Sequence, residues 1–149
     1  MTALTLHPTV LSELDSIISM ERQPDAVDFL ILKSREEHLR EMQSPGGTYL
    51  SIYWEDEMVG YLSLIEDPDG MSIECRRIVV ARSGQGIGGL TMQAMEVYCR
   101  EALGRSRIWL DFFSHNTRGQ HVYEKHGYQE FGKAEYEGKV LRLYEKFLT

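Results

Sequence analysis

The segment Arg82-Ser83-Gly84-Gln85-Gly86-Ile87-Gly88-Gly89 restricts the fold of this chain more than any other. It places four glycines within six residues, between a β-rich run, MSIECRRIVV, and a segment with helical spacing, Ile87 to about Leu103. Glycine reaches positive φ without steric cost and lets a ligand touch the backbone. The first amides of a helix lack internal partners, and its dipole end is positive. Phosphate oxygens satisfy both conditions. The loop is therefore expected to hold a phosphate-bearing ligand through Ser83, Gly84, Gln85, Gly86, Ile87, Gly88 and Gly89.

Two phosphate-binding arrangements compete with the local pattern. Gly84-x-Gly86-x-x-Gly89 matches a dinucleotide fingerprint, with Asp111 about 20 residues on as the ribose-binding acid. Three residues separate the strand from the first glycine, about 80 residues precede the motif, and only 38 follow Asp111. A doubly wound sheet needs the opposite layout. A P-loop is excluded because no Gly-Lys-Ser/Thr follows.

The rest of the chain reads as one domain of 149 residues, without repeats or linkers. LTLHP suits a short strand. Val10, Leu14, Ile17 and Ile18 have helical spacing behind Thr9 as N-cap, and a second helix is expected over roughly Val27 to Met42. TYLSIYWED, MVGYLSLIED and MSIECRRIVV form an antiparallel meander, with Asp67-Pro68-Asp69-Gly70 as a type I turn. SRIWLDFF is a central strand, Asn116 to Lys125 a helix, and a hairpin turning near Gly138 closes the chain. The expected class is α+β, with helices around one mixed sheet.

Net charge is −7, which argues against a nucleic-acid partner. Residues 1–74 carry −11 and residues 75–149 carry +4, which suits an anionic cofactor in the second half and a cationic acceptor in the first. No apolar run is long enough to cross a membrane. No secretory signal opens the sequence, and Cys75 and Cys99 lack metal or redox spacing, so a cytoplasmic protein with reduced thiols is expected. The five histidines show no metal-ligand spacing either, and no metal is expected.

At this point two motifs resemble the GNAT superfamily of N-acetyltransferases. The family's phosphate loop reads Arg/Gln-x-x-Gly-x-Gly/Ala; Gly86 and Gly88 take its glycine places, whereas Ser83 stands where Arg or Gln is usual. Asn116 and Val122-Tyr123-Glu124-Lys125-His126-Gly127-Tyr128 are similar to its later signature. The resemblance implies a splayed mixed sheet with acetyl-CoA between the fourth and fifth strands. It implies a pantetheine arm on the backbone of Ile78, Val79 and Val80, and the adenine end near Arg82 or the helix at Asn116. Asn116 would contact the arm, cap its helix, or do both. GNAT domains often pair, so a homodimer is open.

Acetyl transfer needs a neutral amine and a proton for the departing thiolate. Most amines are protonated at neutral pH. Glu74 is the candidate base, acting through a water, although a salt bridge with Arg76 would equally explain it. The resemblance makes Tyr123 the candidate acid. Glu21, Asp25, Asp28, Glu36 and Glu37 crowd the region that lines the acceptor groove in this family, which suits a primary amine that is cationic. A non-catalytic acyl-CoA-binding module and a dinucleotide oxidoreductase are the alternatives.

Overall fold

A computed structural model describes residues 3–82 and 84–149. The chain begins with β1 (Leu4–Pro8), a 3-10 turn at Leu11–Glu13, and helices α1 (Leu14–Glu21), α2 (Pro24–Val27) and α3 (Arg35–Gln43). Strands β2 (Gly47–Trp54), β3 (Glu57–Glu66) and β4 (Ser72–Val80) make the expected meander. Then come α4 (Ile87–Glu101), β5 (Arg107–Phe113), α5 (Thr117–Lys125) and the hairpin of β6 (Gln129–Tyr136) and β7 (Lys139–Phe147). All seven strands form one sheet, ordered β1-β2-β3-β4-β5-β7-β6.

The second expected helix is broken. Pro24 opens the single turn of α2, where its missing amide costs nothing, and residues 28–34 form a loop. Ser34 then starts α3 through a capping box: its hydroxyl accepts from the Glu37 amide, and the Glu37 carboxylate accepts from the Ser34 amide. Thr9 caps no helix; its hydroxyl bonds Ser51 instead, at 2.8 Å.

Helices α4 and α5 cover one face of the sheet, burying Leu62, Leu64, Ile73, Met92, Met95, Ile108 and Leu110 among them. The segment α1–α3 covers the other face through Ile17, Tyr49, Tyr61 and Val79. Strand β4 changes allegiance between the two. Leu64 pairs with Cys75 but Ser63 pairs with Arg77, so Arg76 is an extra residue that interrupts the alternation. Cys75 therefore faces the α4 side, whereas Arg77 and Val79 face the α1–α3 side.

Among the described strands only β4 and β5 run parallel, and they pair for three residues, Ser72–Glu74 against Arg107–Trp109. Beyond Glu74 and Trp109 they splay, and β4 keeps one free edge. A doubly wound parallel sheet is thereby excluded, and the dinucleotide reading with it.

Gly60 on β3 lies against this edge's other side. A Cβ there would sit 2.1 Å from the Val79 carbonyl oxygen, a backbone atom that cannot swing away. Gly60→Ala is expected to cost about 1–3 kcal/mol as β3 and β4 are pushed apart, read as a lower midpoint in urea unfolding.

Candidate active site

A cleft of about 410 Å³ opens where β4 and β5 separate. It is lined by Ile78 and Val80 of β4, Asp111 and Phe113 of β5, the N-termini of α4 and α5, and the loop after α2. Gly84, Gly86, Ile87, Gly88 and Gly89 form one end of it. Gly84, Gln85 and Gly86 are all left-handed, with φ of 87°, 58° and 71°. That run of turns brings the chain abruptly from the strand into α4. Gly86 is the N-cap of α4 and supplies no side-chain acceptor; the Ile87 amide turns back to the Gly84 carbonyl at 3.4 Å, while the Gly88 and Gly89 amides have no partner among the described residues and remain available to a ligand. Ser83 lies outside the described residues.

The open edge of β4 continues the cleft. The Ala81 amide donates to Val59 on β3 at 2.7 Å. By the alternation of an antiparallel ladder, the backbone groups of Ile78 and Val80 point the other way, into the gap. Val79 does not join them. Its backbone faces β3, and its side chain is buried in the cluster with Tyr61 and Ile17.

Asn116 lines the cleft and caps α5, its Oδ1 accepting from the Gly119 amide at 2.9 Å. Arg118, the second residue of α5, lines the same cleft, as does Arg82. Sequence reasoning passed over Arg118; its place just after the Asn116 cap was the available signal. Tyr123, one turn deeper on α5, is buried beside Phe112 at 5.2 Å between ring centroids. Its hydroxyl has no hydrogen-bond partner among the described residues. Burial pushes the phenol well above its ordinary value, with nearby Cys75 and Asp111 adding to the effect, so it stays protonated. Tyr123 is a permanent donor facing a cleft.

Glu74 is engaged elsewhere. Arg76 donates to its carboxylate at 2.9 Å, and Arg76 also faces Glu41 at 3.7 Å. Glu74 does not line the cleft, whereas Arg76 does. The carboxylate that does line it on β5 is Asp111. Of the five acids expected to line an acceptor groove, Asp25 lines the cleft and Asp28 a neighbouring cavity. Glu36 sits on the exposed first turn of α3, and Glu37 is consumed by the capping box.

Glu21 is buried beneath the site. It accepts hydrogen bonds from His38 Nε2 at 2.8 Å, from the Tyr61 hydroxyl and from Arg77. Tyr49 completes the chain at His38 Nδ1, 2.8 Å away. Burial alone would raise the Glu21 carboxyl, but the bonds from His38 and Tyr61 and the Arg77 charge outweigh it and hold it at about 2. Arg77 also donates to the Ile31 carbonyl in the loop that walls the cleft.

A helix N-terminus without a side-chain cap, a free strand edge and a buried phenol thus meet in one cleft of a splayed mixed sheet. Residues 14–128 match the Acetyltransferase (GNAT) family, and the chain belongs to that family. Among solved structures it is similar to a chimera of the Vibrio cholerae spermidine N-acetyltransferase SpeG and hSSAT. That match has a TM-score of 0.83 and 19% identity, covering 98% of this chain and 96% of that one. The Vibrio cholerae spermidine N-acetyltransferase in complex with CoA and spermine gives a TM-score of 0.81 at 18% identity, with 97% and 95% covered. A candidate phosphinothricin N-acetyltransferase gives 0.81 at 19%, with 98% and 99% covered. These likenesses establish the shared fold. No curated protein sequence matches the chain.

Proposed function

We propose that the protein transfers the acetyl group of acetyl-CoA directly to a cationic primary amine, with both substrates in the cleft together. The observation that carries this reading is the unpartnered Tyr123 hydroxyl, held in the same cleft as the open β4 edge and the uncapped α4. The amides of Gly86, Gly88 and Gly89 hold the diphosphate, and Ile78 and Val80 pair with the pantetheine arm as an added strand would. Asn116 and Arg118 flank that arm and the phosphates. Tyr123 donates its proton to the departing sulfur. A strand-edge amide at Ile78 or Val80 polarises the acetyl carbonyl as its oxygen gains charge.

The amine enters from the α2 side, past Phe29, Leu30 and Ile31, where Asp25 and Asp111 favour a cation. Spermidine and spermine, named with the structural neighbours, have the right charge. Buried reduced Cys75 and Cys99 suit a cytoplasmic setting.

The reading is tested by thiol release from acetyl-CoA over spermidine, lysine and peptide N-termini. Turnover with at least one amine supports it. Tight CoA binding with no thiol release from any amine contradicts it and leaves a binding module. Two glycine variants separate the loop's roles. Gly86→Ala forces a side chain into left-handed φ and tilts the helix amides. It is expected to weaken acetyl-CoA binding about tenfold, the worth of one hydrogen bond. At Gly88 a Cβ would meet nothing within 4 Å. Gly88→Ala is expected to keep the affinity and stabilise the helix by about 0.4–1 kcal/mol. Calorimetric titration and thermal melts read both.

A further inference from the structure

We propose that Asp111, rather than Glu74, is the catalytic base that takes the proton from the incoming ammonium group. This inference rests on the acetyl-transfer reading above and assigns a residue within it.

Placement comes first. Trp109, Asp111 and Phe113 alternate onto the sheet face covered by α1–α3, the face from which the acceptor enters. Glu74 lies opposite Trp109, at the last residue pair before the strands part. Asp111 is two residues further on, inside the opening, and lines the cleft that also holds Tyr123 and the β4 edge. Glu74 sits behind the point of separation and outside that lining.

Commitment comes second. Arg76 occupies the Glu74 carboxylate at 2.9 Å, so Glu74 has a cation already. Asp111 has no hydrogen bond or ion pair with any described residue, although it is half-buried in a central strand and flanked by Ile108, Trp109, Leu110, Phe112 and Phe113. A carboxylate kept in such a place without a donor does nothing for the fold. It is available to a ligand.

Electrostatics agree. Burial raises the Asp111 carboxyl above the usual range; the Glu74 charge raises it further and Arg76 opposes them. The charged and titratable groups facing it are Glu74 and Arg76 of β4 and Tyr123 of α5, while its partner on β7 is the uncharged Leu143. Glu74 thus acts as a positioning residue. It holds Arg76 aside and makes Asp111 more basic through its own charge.

The proton ledger is complete. Asp111 accepts one proton from R–NH3+, leaving a neutral amine whose lone pair forms the new C–N bond at the thioester carbon. The C–S bond breaks with its electron pair on sulfur, and Tyr123 supplies the proton that makes the CoA thiol. The amide nitrogen gives up its second proton, which returns to Tyr123, and Asp111 releases its own to solvent. The sum is amine cation plus acetyl-CoA to acetamide, CoA thiol and one proton.

The test compares wild type, Asp111→Asn, Asp111→Ser and Glu74→Gln in thiol release, with spermidine (or the primary alkylamine the wild type prefers) and with hydroxylamine, which is neutral at assay pH. In Asp111→Asn and Asp111→Ser, kcat/KM for the alkylamine at neutral pH should fall at least about tenfold. It should recover as pH rises and solution supplies neutral amine, while hydroxylamine turnover stays within about threefold. Glu74→Gln frees Arg76 to approach Asp111, so it should lower kcat/KM less than the Asp111 variants do and move the acid limb of the profile to lower pH. Melting temperature of Asp111→Asn should equal or exceed wild type, because an unpartnered buried charge has been removed. An equal loss at every pH, an equal loss with hydroxylamine, or a large loss in Glu74→Gln alone would overturn the assignment. Failure of wild type to release thiol from any amine would instead sink the acetyl-transfer reading itself.

Discussion

Replacing Tyr123 by phenylalanine is expected to lower kcat for acetyl transfer by about 100- to 10,000-fold, the range for losing a positioned general acid. The phenol stays protonated across the working pH range, because burial holds its value high. It can therefore donate whenever the C–S bond breaks. The variant should bind acetyl-CoA normally, since the proposed diphosphate site is made of backbone amides in the glycine loop and not of the Tyr123 hydroxyl. It should also fold normally. The hydroxyl bonds no described residue, and the ring keeps its packing against Phe112 and Tyr128. Deleting an unpaired buried hydroxyl is neutral or mildly stabilising. Single-turnover kinetics beside a thermal melt would show a large rate loss with no loss of stability. A silent substitution would remove Tyr123 from the mechanism.

Glu21→Ala should have the largest effect on stability, about 3–5 kcal/mol, enough to unfold much of the population in a marginal domain. The side chain lies between His38, Tyr61 and Arg77, and its loss leaves a buried guanidinium without its counter-charge. The pH dependence gives a second reading. The Glu21 carboxyl falls from 4.5 in the unfolded chain to about 2 in the fold. Its contribution is therefore fully present above about pH 4.5 and is lost as pH falls toward 2. That difference is worth about 3 kcal/mol, in keeping with the mutational figure. Denaturant melts of wild type should weaken over this interval, and those of Glu21→Gln should do so much less. The network also reaches the cleft, because Arg77 holds the carbonyl of Ile31, one of its lining residues. Any Glu21→Gln protein that folds should show a raised KM for the amine and an unchanged KM for acetyl-CoA.

The parts of this protein that could be read from sequence are those set by local chemistry. The glycine run fixed the strand-to-helix turn because Gly84 and Gly86 need positive φ, whatever packs around them. The β4, α4, β5 and α5 segments carry their own periodicity, and Asn116 was a cap by residue type alone. Features set by partners were hidden. Phe29, Leu30 and Ile31 fell inside the helix expected over Val27 to Met42, but the structure uses them as a cleft wall. The Ser34 and Glu37 capping box marked the true start of α3 and could have shown this. The extra residue at Arg76 depends on where β3 pairs, which no reading of β4 alone reveals. Asp111 entered the sequence reading only as the ribose-binding acid of the dinucleotide alternative. Its role depended on which face of the splayed pair it occupied, and only the topology supplies that.

The most direct test of the central claim is an amide-resolved NMR titration of the protein with acetyl-CoA. The amides of Gly86, Gly88 and Gly89 and those of Ile78 and Val80 should shift together and saturate at one affinity, while NADH leaves them unmoved. Shifts confined to other regions, or the same response to NADH, would contradict the account.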